Sequence, residues 1–182
     1  MNIVVFGGSS PLPLSHEYIF AMDLGKALAM DHHIVITGGY MGTMEAVSRG
    51  AAENGGHVIG VTCDEIERWR NNHHNQWVLE EWRVATLQDR ITKLIDSCDL
   101  AVALPGGTGT LAEIILMWNR IQIQAIAAHP ILLVGQGWKN VFSTFFKEQA
   151  SYIPPSTKSV IEFHNRIEDI LSSITEFQKN FR

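Results

Sequence analysis

Hydrophobic positions follow two patterns along the chain: short unbroken apolar runs, and longer segments with apolar residues three or four positions apart. The runs predict buried strands of a parallel sheet at residues 3–6, 34–37, 58–62, 100–104, 131–134 and 159–163, with a further strand at 78–85 that Glu80 and Glu81 interrupt. The spaced pattern predicts helices at 16–30, from the turn of 38–45 to about 53, at 87–97, from the turn of 105–110 to about 124, at 138–149 and at 166–174.

This alternation of strands and helices predicts the α/β class, with a doubly wound parallel sheet flanked by helices. At 182 residues and 46% hydrophobic content, the chain is long enough to bury one full core. We expect a single domain over residues 1–175 and a polar tail over 176–182. Ser15 is the expected N-cap of the first helix.

Composition limits the classes of partner. The net charge is −5, the pI is near 5.9 and there is no basic tract, which argues against a general nucleic-acid or anionic-membrane binder. Cys63 and Cys98 lie in or beside apolar segments without metal-ligand spacing, as expected of free thiols in a reducing compartment. The first residues lack the basic region of a signal peptide, so we expect a soluble cytoplasmic protein.

The segment DLAVALPGGTGTLAE, residues 99–113, joins a buried strand to a helix through a glycine-rich turn. Such a turn is expected to take positive φ angles and to present free amides and hydroxyls to an anion. The sequence therefore predicts a phosphate site here, or at least a tight turn. Its candidate residues are Pro105, Gly106, Gly107, Thr108, Gly109 and Thr110.

Glu113 is the candidate catalytic carboxylate beside this turn. We expect it in the first turn of the following helix, a few ångströms from whatever the glycines bind. A plain alternative is that Glu113 only stabilises the positive end of the helix dipole.

Two further turns end strands at the same predicted sheet edge. Their candidate binding residues are Gly8 and Ser9 after the first strand, and Gly38, Gly39 and Gly42 after the second, with Glu45 placed to reach a ribose hydroxyl. Neither turn spells G-x-G-x-x-G, and Thr37 and Gly38 stand where NAD binding needs an acidic residue, so a dinucleotide site is disfavoured. Phosphotransfer is also disfavoured, because the chain has no G-x-x-x-x-G-K-[ST] lysine.

Arg90 is the second candidate catalytic residue. It lies off the apolar stripe of residues 87–97, which we expect to be formed by Leu87, Ile91, Leu94 and Ile95. It is placed to project over the carboxyl edge of the sheet toward the Pro105 turn. The alternative is a solvated arginine.

Residues 63–77 form the least regular stretch and are expected to be a loop with the potential to act as a lid. Trp69 and Trp77 in it suit a nucleobase cap and a subunit interface equally. Adjacent histidines, as in His73-His74, do not readily chelate one metal, and no H-E-x-x-H is present, so no protein-bound metal is expected.

Three segments, residues 5–10 (VFGGSS), 37–61 and 104–113 (LPGGTGTLAE), resemble the Lonely guy (LOG) family. The last matches the family signature P-G-G-x-G-T-x-x-E at every fixed position, and the likeness extends to residues 130–138. The resemblance implies a Rossmann-like nucleotide-binding fold, a homodimer or higher homo-oligomer, and hydrolysis of the N-glycosidic bond of a nucleoside 5′-monophosphate. AMP or an N6-substituted AMP of the cytokinin type is the implied substrate, and base and ribose 5-phosphate are the implied products.

The resemblance also assigns residues. Glu113 matches the catalytic glutamate, Arg90 in LQDRITKL the arginine of an M-x-x-R-K segment, and Pro105–Thr110 the phosphate loop. No cofactor and no pyridoxal-phosphate lysine are implied. The sequence departs at Ile91, where many members have lysine, and at Leu116, which replaces an acid. Because the same fold serves molybdenum cofactor carriers, a non-catalytic binding protein is the alternative.

Overall fold

A computed structural model describes residues 1–70 and 73–180 of the chain. In this part, seven strands form one sheet: β1 (Asn2–Phe6), β2 (Ile34–Thr37), β3 (Val58–Cys63), β4 (Glu80–Val84), β5 (Leu100–Ala103), β6 (Ile131–Val134) and β7 (Ile161–His164). The helices are α1 (His16–Met30), α2 (Thr43–Ala52), α3 (Asp64–Arg70), α4 (Leu87–Asp96), α5 (Thr108–Gln122), α6 (Gln136–Glu148), α7 (Pro155–Lys158) and α8 (Ile167–Asn180), with a 3₁₀ turn at Ala150–Tyr152.

The sheet is parallel throughout, in the order β4-β3-β2-β1-β5-β6-β7. The chain first builds outward from β1 to β4 and then crosses to the other side of β1 with β5. This reversal creates a topological switch point between β1 and β5, where open α/β sheets form their ligand crevice. Phe6 pairs with Ala103, so the turns that follow these two strands meet at that crevice.

Helices cover both faces of the sheet, which explains why the five inner strands are buried, mainly apolar runs, whereas the edge strands β4 and β7 carry polar residues. In β1, Val4 and Phe6 enter the core under α4, α5 and α6, whereas Ile3 and Val5 enter the core under α1, α2 and α8. The doubly wound α/β fold predicted from the sequence is confirmed. Among the described residues, no helix is long and apolar enough to span a membrane.

Side-chain caps fix where two helices begin. The Ser15 hydroxyl accepts a hydrogen bond from the Tyr18 amide at 3.2 Å, which confirms Ser15 as the N-cap of α1. The Thr86 hydroxyl accepts one from the Asp89 amide at 3.1 Å and starts α4. Each cap satisfies a backbone donor that has no partner within its helix.

Three expectations about the helices are wrong. Residues 64–70 are helix α3 rather than loop, because the acidic first turn of DEIERWR favours a helix N-terminus; residues 71 and 72 lie outside the described part. Helix α8 continues to Asn180, past the end predicted at 174 and into the expected tail, because Phe177 packs on the core beneath it. The buried stripe of α4 differs from the expected one: Leu87 is 44% exposed, whereas Arg90, expected off the stripe, is buried together with Leu94 and Ile95.

Candidate functional site

A cleft of about 520 Å³ lies at the switch point, above the carboxyl ends of β1 and β5. Its volume lies within the range of small-molecule sites, roughly 300–1,000 Å³. Of the residues predicted from sequence, those that line it are Gly8, Ser9, Arg90, Gly107, Thr108, Gly109, Thr110 and Glu113. Tyr40, Met44 and Ile66, which no sequence motif marks as functional, also line it.

One end of the cleft is the N-terminus of α5. Gly107 caps this helix without a side-chain hydrogen bond, so the first amides of the helix face the cleft with no capping oxygen from their own N-cap. A Cβ built on Gly107 or Gly109 would meet no atom within 4 Å. The expected positive φ is absent from Gly106, Gly107 and Gly109. Gly107 and Gly109 therefore leave open space for a ligand close to the backbone, and the positive end of the α5 helix dipole lies beside that space.

Tyr40 of the turn after β2 lines the cleft, whereas Gly38 and Gly42 of the same turn do not. Gly42 has φ +73°, and a Cβ there would lie 2.4 Å from the Gly8 carbonyl oxygen. The Thr43 amide and hydroxyl both donate to that same oxygen, at 2.9 and 3.1 Å. The Gly8 amide in turn donates to the Pro105 carbonyl at 3.2 Å. The three glycine turns are thus joined in one chain of backbone contacts.

Arg90 is buried, at 5% exposure, so the solvated alternative is wrong. Its Nε donates to the Val61 carbonyl at 2.7 Å, and one Nη donates to the Gly38 carbonyl at 3.0 Å. A Cβ on Gly38 would lie 1.8 Å from that Nη, so only glycine leaves room for the guanidinium. Arg90 therefore points to the ends of β2 and β3 instead of the Pro105 turn, because their carbonyl oxygens need buried donors.

The other Nη of Arg90 lies 3.4 Å from Glu113 Oε1. Glu113 is the sixth residue of α5, so it lies in the second turn and not, as expected, in the first. The helix dipole acts mainly on the first turn and does not account for this residue. Glu113 is 8% exposed and faces the cleft.

Burial raises the pKa of the Glu113 carboxyl from 4.5 to about 7, and the positive charge of Arg90 opposes part of that rise. A carboxyl with this pKa exchanges a proton readily at neutral pH. This is the range in which general acid–base groups work best.

Four other predicted site residues do not line the cleft. Pro105 and Gly106 are not among its lining residues, and the Gly39 carbonyl instead accepts hydrogen bonds from Asn75. Glu45 lies in α2 beside Tyr18 of α1, too far round the helix to face the cleft. Of the two tryptophans, Trp69 lines the cleft, whereas Trp77 packs beside Arg49.

A second hollow, of about 540 Å³, adjoins the cleft. The two share Leu87, Ile91 and Ala112, and Leu116 lines the far side of the hollow. The two departures from the family signature, Ile91 and Leu116, therefore lie in one place. Together they make this hollow more apolar than a lysine and an acid would.

Residues 1–157 match the sequence profile of the SLOG cluster4 family. The chain belongs to this family. Among its relatives, the probable cytokinin riboside 5′-monophosphate phosphoribohydrolase LOGL9 of Oryza sativa subsp. japonica is 32% identical over 161 residues, covering 85% of this chain and 69% of that protein. Cytokinin riboside 5′-monophosphate phosphoribohydrolase LOG3 of Arabidopsis thaliana is 28% identical, covering 97% and 82%. The resemblance to the LOG family is confirmed.

Solved structures agree on the fold. The structural genomics target TM1055 superposes with a TM-score of 0.72 at 25% identity, covering 96% of this chain and 98% of that one. The molybdenum cofactor carrier protein of Chlamydomonas reinhardtii superposes with a TM-score of 0.75 at 22% identity, covering 98% of both chains. At that identity the second likeness concerns the fold alone.

Proposed function

We propose that this protein is a phosphoribohydrolase that cleaves the N-glycosidic bond of a nucleoside 5′-monophosphate. AMP or an N6-substituted AMP of the cytokinin type is the proposed substrate, and the products are the free base and ribose 5-phosphate. The relatives named as cytokinin riboside 5′-monophosphate phosphoribohydrolases support this activity at the level of the family.

The observation that carries the proposal is the position of Glu113. Its carboxyl lies in the cleft that the uncapped N-terminus of α5 also lines. A 5′-phosphate held by the amides and hydroxyls of Thr108 and Thr110 would be bound at one point, and its ribose would extend along the cleft toward the carboxyl. Binding the phosphate thereby places the anomeric carbon near the one acidic side chain that lines this cleft within the described residues.

The chemistry follows from the charge that develops. As the C1′–N bond breaks, its electron pair goes to the base nitrogen and positive charge grows on the sugar. The Glu113 carboxylate stabilises that charge and accepts a proton from the water whose oxygen attacks C1′. This proton, or one from solvent, then protonates the nitrogen of the departing base, so that the base leaves as a neutral molecule. The positive charge of Arg90 lowers the pKa of Glu113 and so favours the ionised carboxylate, and the contact between the two side chains holds Glu113 in the cleft.

The test is chromatography of AMP incubated with the purified protein. We expect adenine and ribose 5-phosphate in equal amounts. Glu113→Ala should abolish their formation while the affinity for AMP stays within about tenfold of wild type. Unchanged turnover in that variant would remove Glu113 from the reaction.

A second candidate is a non-catalytic binding protein for a nucleotide or the molybdenum cofactor. The full-length likeness of fold to the carrier protein of Chlamydomonas reinhardtii favours it. It predicts tight binding by calorimetry without release of base from any nucleoside monophosphate. Catalytic release of base from AMP would exclude it as the sole function.

A further inference from the structure

The side chains of helix α3 are divided between two surroundings. Asp64 and Glu67, three positions apart, both contact Arg83 of β4, each at 2.8 Å. Ile66 and Trp69, also three positions apart, both line the cleft. Residues at this spacing share a helix face, so α3 has one ionic face toward the sheet edge and one apolar face toward the cleft.

Contacts from the first four residues of the helix hold this orientation. Arg83 joins α3 to β4, and the Glu67 side chain that it contacts is only 7% exposed. Glu65 accepts a hydrogen bond from the Leu87 amide at 2.8 Å, which joins α3 to the start of α4. An ion pair with a buried partner is screened less by solvent than an exposed one. Trp69 is 77% exposed, but it stands on a helix fixed to two neighbours.

The lining of the cleft has two chemically different parts. The part at α5 carries backbone amides and the hydroxyls of Thr108 and Thr110. Another part of the lining is formed by Ile66, Trp69, Leu87 and Ile91, whose side chains hold one polar atom between them, the indole nitrogen. Such a wall offers shape and aromatic surface and very little hydrogen bonding. It is suited to the flat face of a heteroaromatic ring.

We propose that Trp69 stacks on the base of the bound nucleotide and determines the class of base that is accepted. This inference rests on the proposed function, because the phosphate at α5 fixes which end of the substrate reaches Trp69. Stacking needs a π face and tolerates changes at the edge of the ring. Purine monophosphates, which have the larger ring area, should bind more tightly than pyrimidine monophosphates.

The first test is steady-state kinetics with AMP. Loss of one base–aromatic stack lowers affinity about 5- to 150-fold, so Trp69→Ala should raise KM by that factor with kcat nearly unchanged. Trp69→Phe keeps an aromatic face and should recover most of the affinity. Inhibition by ribose 5-phosphate, which has no base, should be the same in all three proteins. A general disturbance of the cleft would weaken that inhibition too.

The second test does not depend on hydrolysis. AMP should quench part of the tryptophan fluorescence, and this quenching should disappear in Trp69→Phe but persist in Trp77→Phe, the matched control outside the cleft. Ribose 5-phosphate should not quench. Quenching that needs Trp69, without release of base, would support the stack and refute the hydrolase. Hydrolysis with an unchanged KM in Trp69→Ala would refute the stack alone. If AMP neither quenches the tryptophan fluorescence nor is hydrolysed, both the stack and the hydrolase are refuted.

Discussion

Replacing Glu113 with glutamine should stabilise the folded protein at neutral and alkaline pH while removing activity. The carboxyl is buried beside the guanidinium of Arg90, and its pKa rises from 4.5 to about 7. The folded state therefore prefers the protonated carboxyl, even with Arg90 3.4 Å away. Glutamine has the same shape, remains neutral at every pH and still offers an oxygen to Arg90.

The size of the effect follows from the change in pKa. The span from 4.5 to about 7, at about 1.36 kcal/mol for each pH unit, means that ionised Glu113 costs the folded state about 3 kcal/mol. Because the pKa of Glu113 is higher in the folded than in the unfolded state, protonation of this carboxyl stabilises the fold. This stabilisation is fully present below the unfolded pKa, falls as the pH rises, and is lost above about pH 7. Glu113→Gln should therefore resemble wild type at pH 4 and exceed it by about 3 kcal/mol at pH 8.

The assay is urea unfolding of both proteins at a series of pH values, with the free energy of unfolding extrapolated to water. A difference of this size is large beside a typical total stability of roughly 5–15 kcal/mol. Glu176→Gln, an exposed position in α8, controls for the loss of one negative charge. It should keep the pH dependence of wild type.

Equal stability of wild type and Glu113→Gln at pH 8 would refute the reasoning. A less stable variant at pH 8 would refute it more strongly, because it would mean that the ion pair with Arg90 outweighs the burial of the carboxylate. Either result would place the pKa of Glu113 near or below its ordinary value. The carboxyl would then be ionised at pH 7 without any tuning by burial.

Three other changes test the rest of the site. In the kcat/KM profile for AMP, the rise with pH should level off near pH 7 in wild type and at higher pH in Arg90→Met, since the charge that lowers the pKa of the catalytic carboxyl is lost. Gly42→Ala should cost more stability in urea unfolding than Gly55→Ala, because both have φ near +75° but only the first meets a backbone oxygen. Gly109→Ala should weaken calorimetric binding of ribose 5-phosphate at least about tenfold without loss of stability, because the new methyl group would occupy the ligand's space.

For each of these changes, a particular result would contradict the prediction. An unmoved break in the pH profile of Arg90→Met would assign the titration to another group. Equal losses in Gly42→Ala and Gly55→Ala would mean that strain alone matters and that the contact with Gly8 is dispensable. Gly137→Ala is the match for Gly109→Ala, since both glycines stand second in a helix with open space around the new carbon. If both variants bind ribose 5-phosphate with the same affinity, the N-terminus of α5 does not bind the phosphate.

Hydrophobic patterning predicts the five inner strands and most helices, because a strand covered on both faces must be a mainly apolar run. It failed where ionic contacts decide the structure. Helix α3 is short and polar in sequence, and contacts from Arg83 hold it against the sheet edge. Those contacts join elements about twenty residues apart, and no local pattern reports them.

The sequence predicts most of the residues that form the site, but only part of their arrangement in space. The signature turn and Glu113 lie where strand order and spacing place them, at the carboxyl edge of the sheet. Arg90 lies on the buried face of α4 and not off it as expected, because hydrophobic periodicity assigns a charged side chain to the outer face and does not report the acceptors above the sheet. The carbonyls of Gly38 and Val61 became its partners only once β2 and β3 were adjacent.

Burial and Arg90 act on Glu113 in opposite directions, and the proposed reaction needs both. Burial alone would raise the pKa further and leave the carboxyl protonated at pH 7, unable to stabilise positive charge on the sugar. A well-hydrated carboxylate beside an arginine would have a low pKa and would release any proton taken from water at once. The balance near 7 lets one side chain be an anion when the bond breaks and a proton carrier afterwards. The guanidinium that sets this balance is itself held by two strand ends, so the fold and the acidity of the site depend on the same hydrogen bonds.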